Sequence, residues 1–223
     1  MSIPKLQRIS LKSQVYEYLK KAIINGELQL NQMYSEQYFA DKLSISRTPV
    51  REAVLQLQHE NMLEIKTNRG FTIKPLYLDE IKKIIETRLA IEGYSCSTFA
   101  KKINEQEGIT LIKKIENNLI RQRKSLTLPN SHYEFMLLDL EFHQSIIDFT
   151  KNNYFAEIIN MLRTRLEIAT LKSLHEENRL EKALAEHIKI YEAIKSGNAR
   201  KAFESYEFHM LCTLEVMEKC YDT

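Results

Sequence analysis

The sequence predicts a mainly α-helical protein in two parts: three short helices with a small β-hairpin, then an all-α bundle of six helices. Three observations predict this. Only five glycines and four prolines interrupt 223 residues, so long periodic runs go unpunctuated. Two short β-rich runs, LEIK and FTIKP, flank a turn at Thr67-Asn68-Arg69-Gly70, the pattern of a hairpin. From Asp79 onward apolar residues recur at helical spacing almost to the end.

The bulk numbers exclude several classes. At 43% hydrophobic and 28% charged, the composition is that of an ordinary globular chain. No run approaches the ~18 apolar residues of a membrane span. The opening MSIPKLQRISLKSQ has no apolar core and is not a signal peptide, so the cytoplasm is the expected location. Cys96, Cys212 and Cys220 have neither pairing nor metal spacing and read as reduced thiols. Residues 1–76 carry 11 Lys and Arg against 7 Asp and Glu, and the rest of the chain 21 against 23. That N-terminal excess suits a polyanionic partner.

Taken in order, the first helix covers about Leu11 to Asn25. Val15, Leu19, Ala22 and Ile23 form its stripe, and Gly26 stands just past its end. A second, Ser35 to Leu43, is capped by Ser35, with Phe39, Ala40 and Leu43 inward. The third begins inside LSISRTPVREAVLQL. Ser46 is its N-cap, and Pro49 is harmless in a first turn whose amides have no intrahelical acceptor. Val50, Ala53, Val54 and Leu57 dock on the other two helices. With the hairpin, this order is a winged helix-turn-helix over residues 1–76. Pro75 then breaks the chain, and residues 77–223 carry helices at about 79–103, 105–124, 131–150, 153–174, 178–196 and 199–220.

Such a recognition helix enters the DNA major groove with its N-terminal residues against base edges. Arg47 and Arg51 flank the buried stripe one turn apart, with Thr48 on the exposed side. Arginine matches guanine O6 and N7, while hydroxyls and first-turn amides suit phosphates. A merely solvated, charged helix start would carry the same residues; the neighbouring helix, turn and hairpin favour DNA. Gln37 and Tyr38 offer further contacts, and Arg69 stands at the wing tip, where it could equally be a solvated turn residue. SEQYFADKLSISRTPVREAVLQLQHENMLEIKTNRGFTIKP resembles the DNA-binding domain of the GntR family of bacterial transcription regulators, over most of residues 10–76. The resemblance implies that Arg47, Thr48 and Arg51 contact double-stranded operator DNA, with Arg69 and Gly70 in the wing. Ser46 and Gln37 complete the DNA-binding candidates, though many members of the family carry arginine where this chain has Gln37.

A second constellation lies in the helical part. His143, His187 and His209 each fall inside an apolar stripe, and Asp139 sits one turn before His143 on the same face. A lone inward histidine is more often a satisfied core residue than a ligand. Four inward ligand-type groups on three helices, with an aspartate that is costly to bury unpaired, favour a divalent transition metal. Zinc and nickel come first, with manganese and iron(II) as alternatives. The segments DLEFH, EHIKIYEAI and GNARKAFESYEFH resemble the signature segments of the FCD-type effector domain of the FadR subfamily, in its six-helix, VanR-like branch, over roughly 79–220. The resemblance places Asp139, His143, His187 and His209 at that domain's metal positions, one metal per chain. Arg88 also faces inward. Glu92 at i+4 could satisfy it, or it could hold the carboxylate of a small organic acid effector.

These resemblances imply a homodimeric, ligand-responsive repressor, not an enzyme, that binds a palindromic operator. A metal-only sensor, a helical-bundle metalloenzyme and an architectural DNA-binding protein are the rivals. Against the enzyme, there are no paired Glu-x-x-His motifs and no general base stands beside the ligands.

Overall fold

The computed structural model describes residues 10–221 apart from Asn31 and Asn68. Residues 1–9, which carry most of the segment lacking a signal-peptide pattern, and Asn68 of the hairpin turn lie outside the described residues. The chain divides into two compact units, Met1–Pro75 and Leu76–Thr223.

In the first unit, α1 (Leu11–Ile24), α2 (Glu36–Leu43) and α3 (Arg47–His59) precede β1 (Leu63–Lys66) and β2 (Gly70–Ile73). Ser10 starts α1 and Ser35 starts α2 by accepting hydrogen bonds from the amides of Ser13 and Tyr38, each satisfying one orphan donor. Ser44 adopts φ 54° to end α2 and open the tight turn. Ser46 is the N-cap of α3, as expected, with the extended backbone of that position, though its hydroxyl makes no capping bond. Leu19, Phe39, Val50, Ala53, Val54 and Leu57 are buried to 1% exposure or less and fix the three helices together. The strands pair antiparallel from Leu63 opposite Ile73 to Lys66 opposite Gly70. Tyr34 adds a short third edge to this sheet by exchanging backbone hydrogen bonds of 2.8 and 2.9 Å with Phe71.

Gly70 is required by that edge. Its φ is +120°, and a Cβ there would lie 2.1 Å from the Tyr34 carbonyl oxygen. Only glycine fits both the conformation and the approach.

In the second unit, α4 (Leu78–Arg88) runs through a π-helical turn, Leu89–Gly93, into α5 (Tyr94–Lys101). Then come α6 (Gln106–Ser125), α7 (Ser131–Phe149), α8 (Asn153–Leu174), α9 (Arg179–Lys195) and α10 (Ala199–Tyr221). The unbroken helix expected over 79–103 is corrected by the π turn. Here the wider winding leaves the stripe facing inward on both sides of the turn, and the Ser95 hydroxyl donates to the Ile91 carbonyl at 2.7 Å. Apolar periodicity carries no signal for i→i+5 bonding. α10 packs on α9, α5 and α4, while α6 packs on α7 and α9. Ile84, Ile91, Ile147, Ile159 and Leu166 form one apolar cluster beside the polar centre described next. No helix among the described residues is long and apolar enough to cross a membrane.

Candidate metal centre and nucleic-acid interface

In the first unit, Gln37, Arg47, Arg51, Lys66, Arg69 and Gly70 line one open groove between the head of α3 and the hairpin. Arg51 and Arg69 are exposed, and their guanidinium groups pair with nothing among the described residues. Arg47 is tied to Glu36 at 3.0 Å yet remains 62% exposed. Gln37 donates to Asp41 at 2.7 Å. Ser46 and Thr48 are exposed in the first turn beside Arg47. Lys66 was not singled out in the sequence; it lines the same groove at the end of β1, with Ile65 and Thr67.

In the second unit, α7 supplies Asp139 and His143, α9 supplies His187 and α10 supplies His209. All four are buried, and one ligand atom from each lies within 4.8 Å of the others. Each imidazole has its Nδ1 against an oxygen that points it inward. His143 Nδ1 lies 2.8 Å from Glu92 Oε2, His187 Nδ1 2.8 Å from Gln122 Oε1, and His209 Nδ1 2.7 Å from Glu186 Oε2. With Nδ1 donating to these acceptor oxygens, Nε2 of His187 and His209 is the lone-pair atom. His187 Nε2 is 3.3 Å and His143 Nε2 3.9 Å from Asp139 Oδ1. The Nε2 atoms of His143 and His187 are buried without a hydrogen-bond partner, and the 2.8 Å approach of His143 Nδ1 to Glu92 is a close polar contact without hydrogen-bond geometry. Buried nitrogens without partners are uncommon in native proteins, and three imidazoles converging on a carboxylate are the donor set of zinc and its neighbours. The residues fit a divalent metal.

Electrostatics prepare the same state. Burial, then His209 and His143, hold His187 well below the ordinary imidazole range. Burial brings His209 down to about 4, although Glu186 pulls the other way. Metal ligation needs neutral imidazole. Behind two of the ligands stands a buried arginine. Arg88 donates to both Glu92 oxygens at 2.7 and 3.3 Å, and Arg179 donates to both Glu186 oxygens at 2.7 and 3.0 Å. Burial alone would raise the Glu92 carboxyl, but Arg88 and His143 hold it below its usual range. Arg88 is therefore satisfied by its i+4 partner, the simpler of the two readings its sequence position allowed. It also lines two small cavities flanking the ligands. One is shared with Glu92, His143 and Arg163; the other with Asp139, Arg179, His209 and Thr213. Arg163 is paired with Glu167 and Arg165 with Glu80.

Comparison with known proteins settles the family. The FCD domain family matches residues 83–211, and the gntR family of bacterial regulatory proteins matches residues 11–73. The chain belongs to the GntR family. Among curated GntR relatives, the HTH-type transcriptional regulator YdhC of Bacillus subtilis is 25% identical over 189 residues, covering 85% of this chain and 83% of its own. The gluconate operon transcriptional repressor of Bacillus licheniformis is 28% identical over 198 residues, covering 86% and 78%. Among solved structures, a GntR transcriptional regulator from Rhodococcus sp. RHA1 superposes with a TM-score of 0.78 at 18% identity, covering 96% of this chain and 100% of that one. McbR/YncC of E. coli gives 0.75 at 19%, covering 96% and 100%. At these identities the structural likeness is one of fold. Like other GntR regulators the chain is a transcriptional regulator and not an enzyme, and its FCD match contains all four ligand-type residues.

Sequence reasoning missed Gln122, Glu186 and Arg179, and weighed Glu92 only as a partner for Arg88. Glu186 had a faint signal, an acid directly before an inward histidine. Gln122 had none, because its partner is 65 residues away.

Proposed function

We propose that this regulator is a metal-containing repressor that binds a palindromic operator as a homodimer and answers a small carboxylate effector. The observation that carries the reading is the set of three histidines turned by Nδ1 partners so that Nε2 faces Asp139 in a buried pocket. Asp139, His143, His187 and His209 hold the metal. A bound metal supplies a Lewis-acidic centre for a carboxylate oxygen. The chain's own residues orient that carboxylate, with Arg88 and the other polar groups of the flanking cavities facing it. Repression is supported by relatives that are named repressors. In the first unit, Arg47 and Arg51 read base edges. Ser46, Thr48, Gln37 and Arg69 contact the sugar-phosphate backbone. Effector binding changes operator affinity by favouring one of two conformations.

The test is metal analysis of purified protein with native mass spectrometry, then operator binding by stripped and reloaded protein with and without small organic acids. About one transition metal per chain in a dimer, with an acid-dependent operator affinity only in the loaded form, is expected. Absence of metal uptake on titration with zinc, nickel and manganese would reduce the four residues to a polar core network. Response to metal with no acid would make the protein a metal sensor.

A further inference from the structure

The groove at the head of α3 carries one charge of the wrong sign for DNA. Arg47, Arg51, Lys66 and Arg69 line it, and Glu36 is the one acid among its described lining residues. A carboxylate there repels every phosphate that approaches, whatever the base sequence. It therefore lowers affinity for all duplexes alike. Folding stability does not account for it, because an ion pair whose arginine is 62% exposed contributes little.

What Glu36 does is hold Arg47. It is the first residue of α2, where the helix N-terminus favours a negative charge, and its side chain is only 18% exposed. Its Oε2 accepts from Arg47 Nη2 at 3.0 Å, across the turn between the two helices. The pair occupies one terminal nitrogen and leaves Nη1 and Nε as donors. A guanidinium held at one corner has less rotamer freedom to lose on binding. Its remaining donors keep the planar fork that suits guanine O6 and N7. An untethered arginine at the same place is free to swing to the nearest phosphate.

We propose that Glu36 is a positioning residue for sequence discrimination. It aims Arg47 at a base edge and keeps it off the phosphates, while lowering affinity for DNA in general. This step rests on the operator-binding reading above, in which Arg47 reads a base.

The test uses full-length wild type, Glu36→Gln, Arg47→Ala and the double variant. Each is titrated over a range of salt with two duplexes of equal length. One is recovered by the wild type from a randomised pool, and the other is of mixed sequence. Glu36→Gln is expected to bind the mixed duplex roughly threefold tighter. Its salt slope should steepen by about one as Arg47 takes a phosphate, and its preference for the recovered duplex should fall by about tenfold. In the Arg47→Ala background the same change is expected to leave the preference where it was, because Glu36 acts through Arg47. If Glu36→Gln does not fold, Glu36→Asp keeps the charge at the helix start and draws the carboxylate back from Arg47, with the same fall in preference expected. An unmoved preference in a folded variant, or an equal loss with and without Arg47, overturns the positioning role and leaves the DNA-binding reading standing. If Arg47→Ala itself keeps the full preference, Arg47 reads no base and both readings of it fall. If the pool yields no preferred duplex, operator recognition fails first and the role of Glu36 falls with it.

Discussion

Gln122 Oε1 sits 2.8 Å from His187 Nδ1, and Gln122 is itself held by Asn118 Oδ1 at 2.8 Å. Asn118 in turn donates to the Leu138 carbonyl at 3.1 Å, next to Asp139. A ligand on α9 is thus oriented from α6 and tied back to α7. Partners of this kind fix the tautomer of a metal-bound histidine, and their loss costs about 10–100-fold in metal affinity. Gln122→Met is expected to weaken zinc binding by that factor with little change in secondary structure. Competition against a chromophoric chelator measures it; wild-type affinity in the variant would mean that His187 is oriented by packing on Phe142 alone.

Removing a ligand couples metal to folding. Binding to the folded state contributes about 4 kcal/mol at a thousandfold excess of free metal over Kd, or roughly 10 °C in Tm for a protein of this size. His187→Ala is expected to lose stoichiometric metal and most of that increment together. Stoichiometric metal in this variant would remove His187 from the ligand set.

Acid should destabilise the chelated protein. His209, at about 4, and His187, well below its ordinary range, stay neutral in the fold, while the unfolded chain protonates both near 6.5. The unfolded state therefore binds more protons, and stability is full above about pH 6.5 and falls as pH drops toward 4. His209 alone contributes on the order of 3 kcal/mol to that loss. Urea midpoints at pH 7.5 and 5 check it: His209→Gln should show a smaller drop than wild type.

On the DNA side, Arg51→Ala should cost about 1–3 kcal/mol of discrimination if it makes a bidentate base contact. Arg69→Ala should instead weaken all sequences alike and lower the salt slope by about one. Competition between operator and scrambled duplex at several salt concentrations separates the two. An Arg51→Ala protein with undiminished preference for the operator removes that residue from base recognition.

Gly70→Ala tests the wing. A side chain there meets the Tyr34 carbonyl oxygen at 2.1 Å in a backbone conformation unsuited to L-residues. Loss of about 1–3 kcal/mol is expected, read as a lower urea midpoint with operator binding reduced in parallel. An unchanged midpoint would show that Tyr34 yields.

The two constellations were legible in the sequence for one reason: each breaks a local rule. Arg47 and Arg51 bracket an apolar stripe at a capped helix start, and Asp139, His143, His187 and His209 are polar where periodicity demands apolar. What supports them was not legible. Gln122 follows no local anomaly that names His187, which it reaches only when α6 and α9 meet, and Arg179 pairs with Glu186 two turns along its own helix with no sequence signal for it. Gly70 looked like a wing residue facing DNA; its requirement comes from Tyr34, 36 residues earlier. The stacking of His132 on His175, centroids 4.4 Å apart, joins two helix ends that gave no sign of meeting.

The π turn at Leu89–Gly93 has a consequence for how this chain tolerates change in length. An extra residue in one turn shifts the phase of everything before it by about 100°. Deleting any one residue there would restore a regular ladder and give a better helix by every local measure. Where the deleted residue lies between Arg88 and Glu92, it would also turn Arg88 by about 100° relative to Glu92, and so disturb the anchor of His143. At this point the chain gives up local regularity to hold a side chain in place, so single-residue deletions should be purged here even though they mend the backbone.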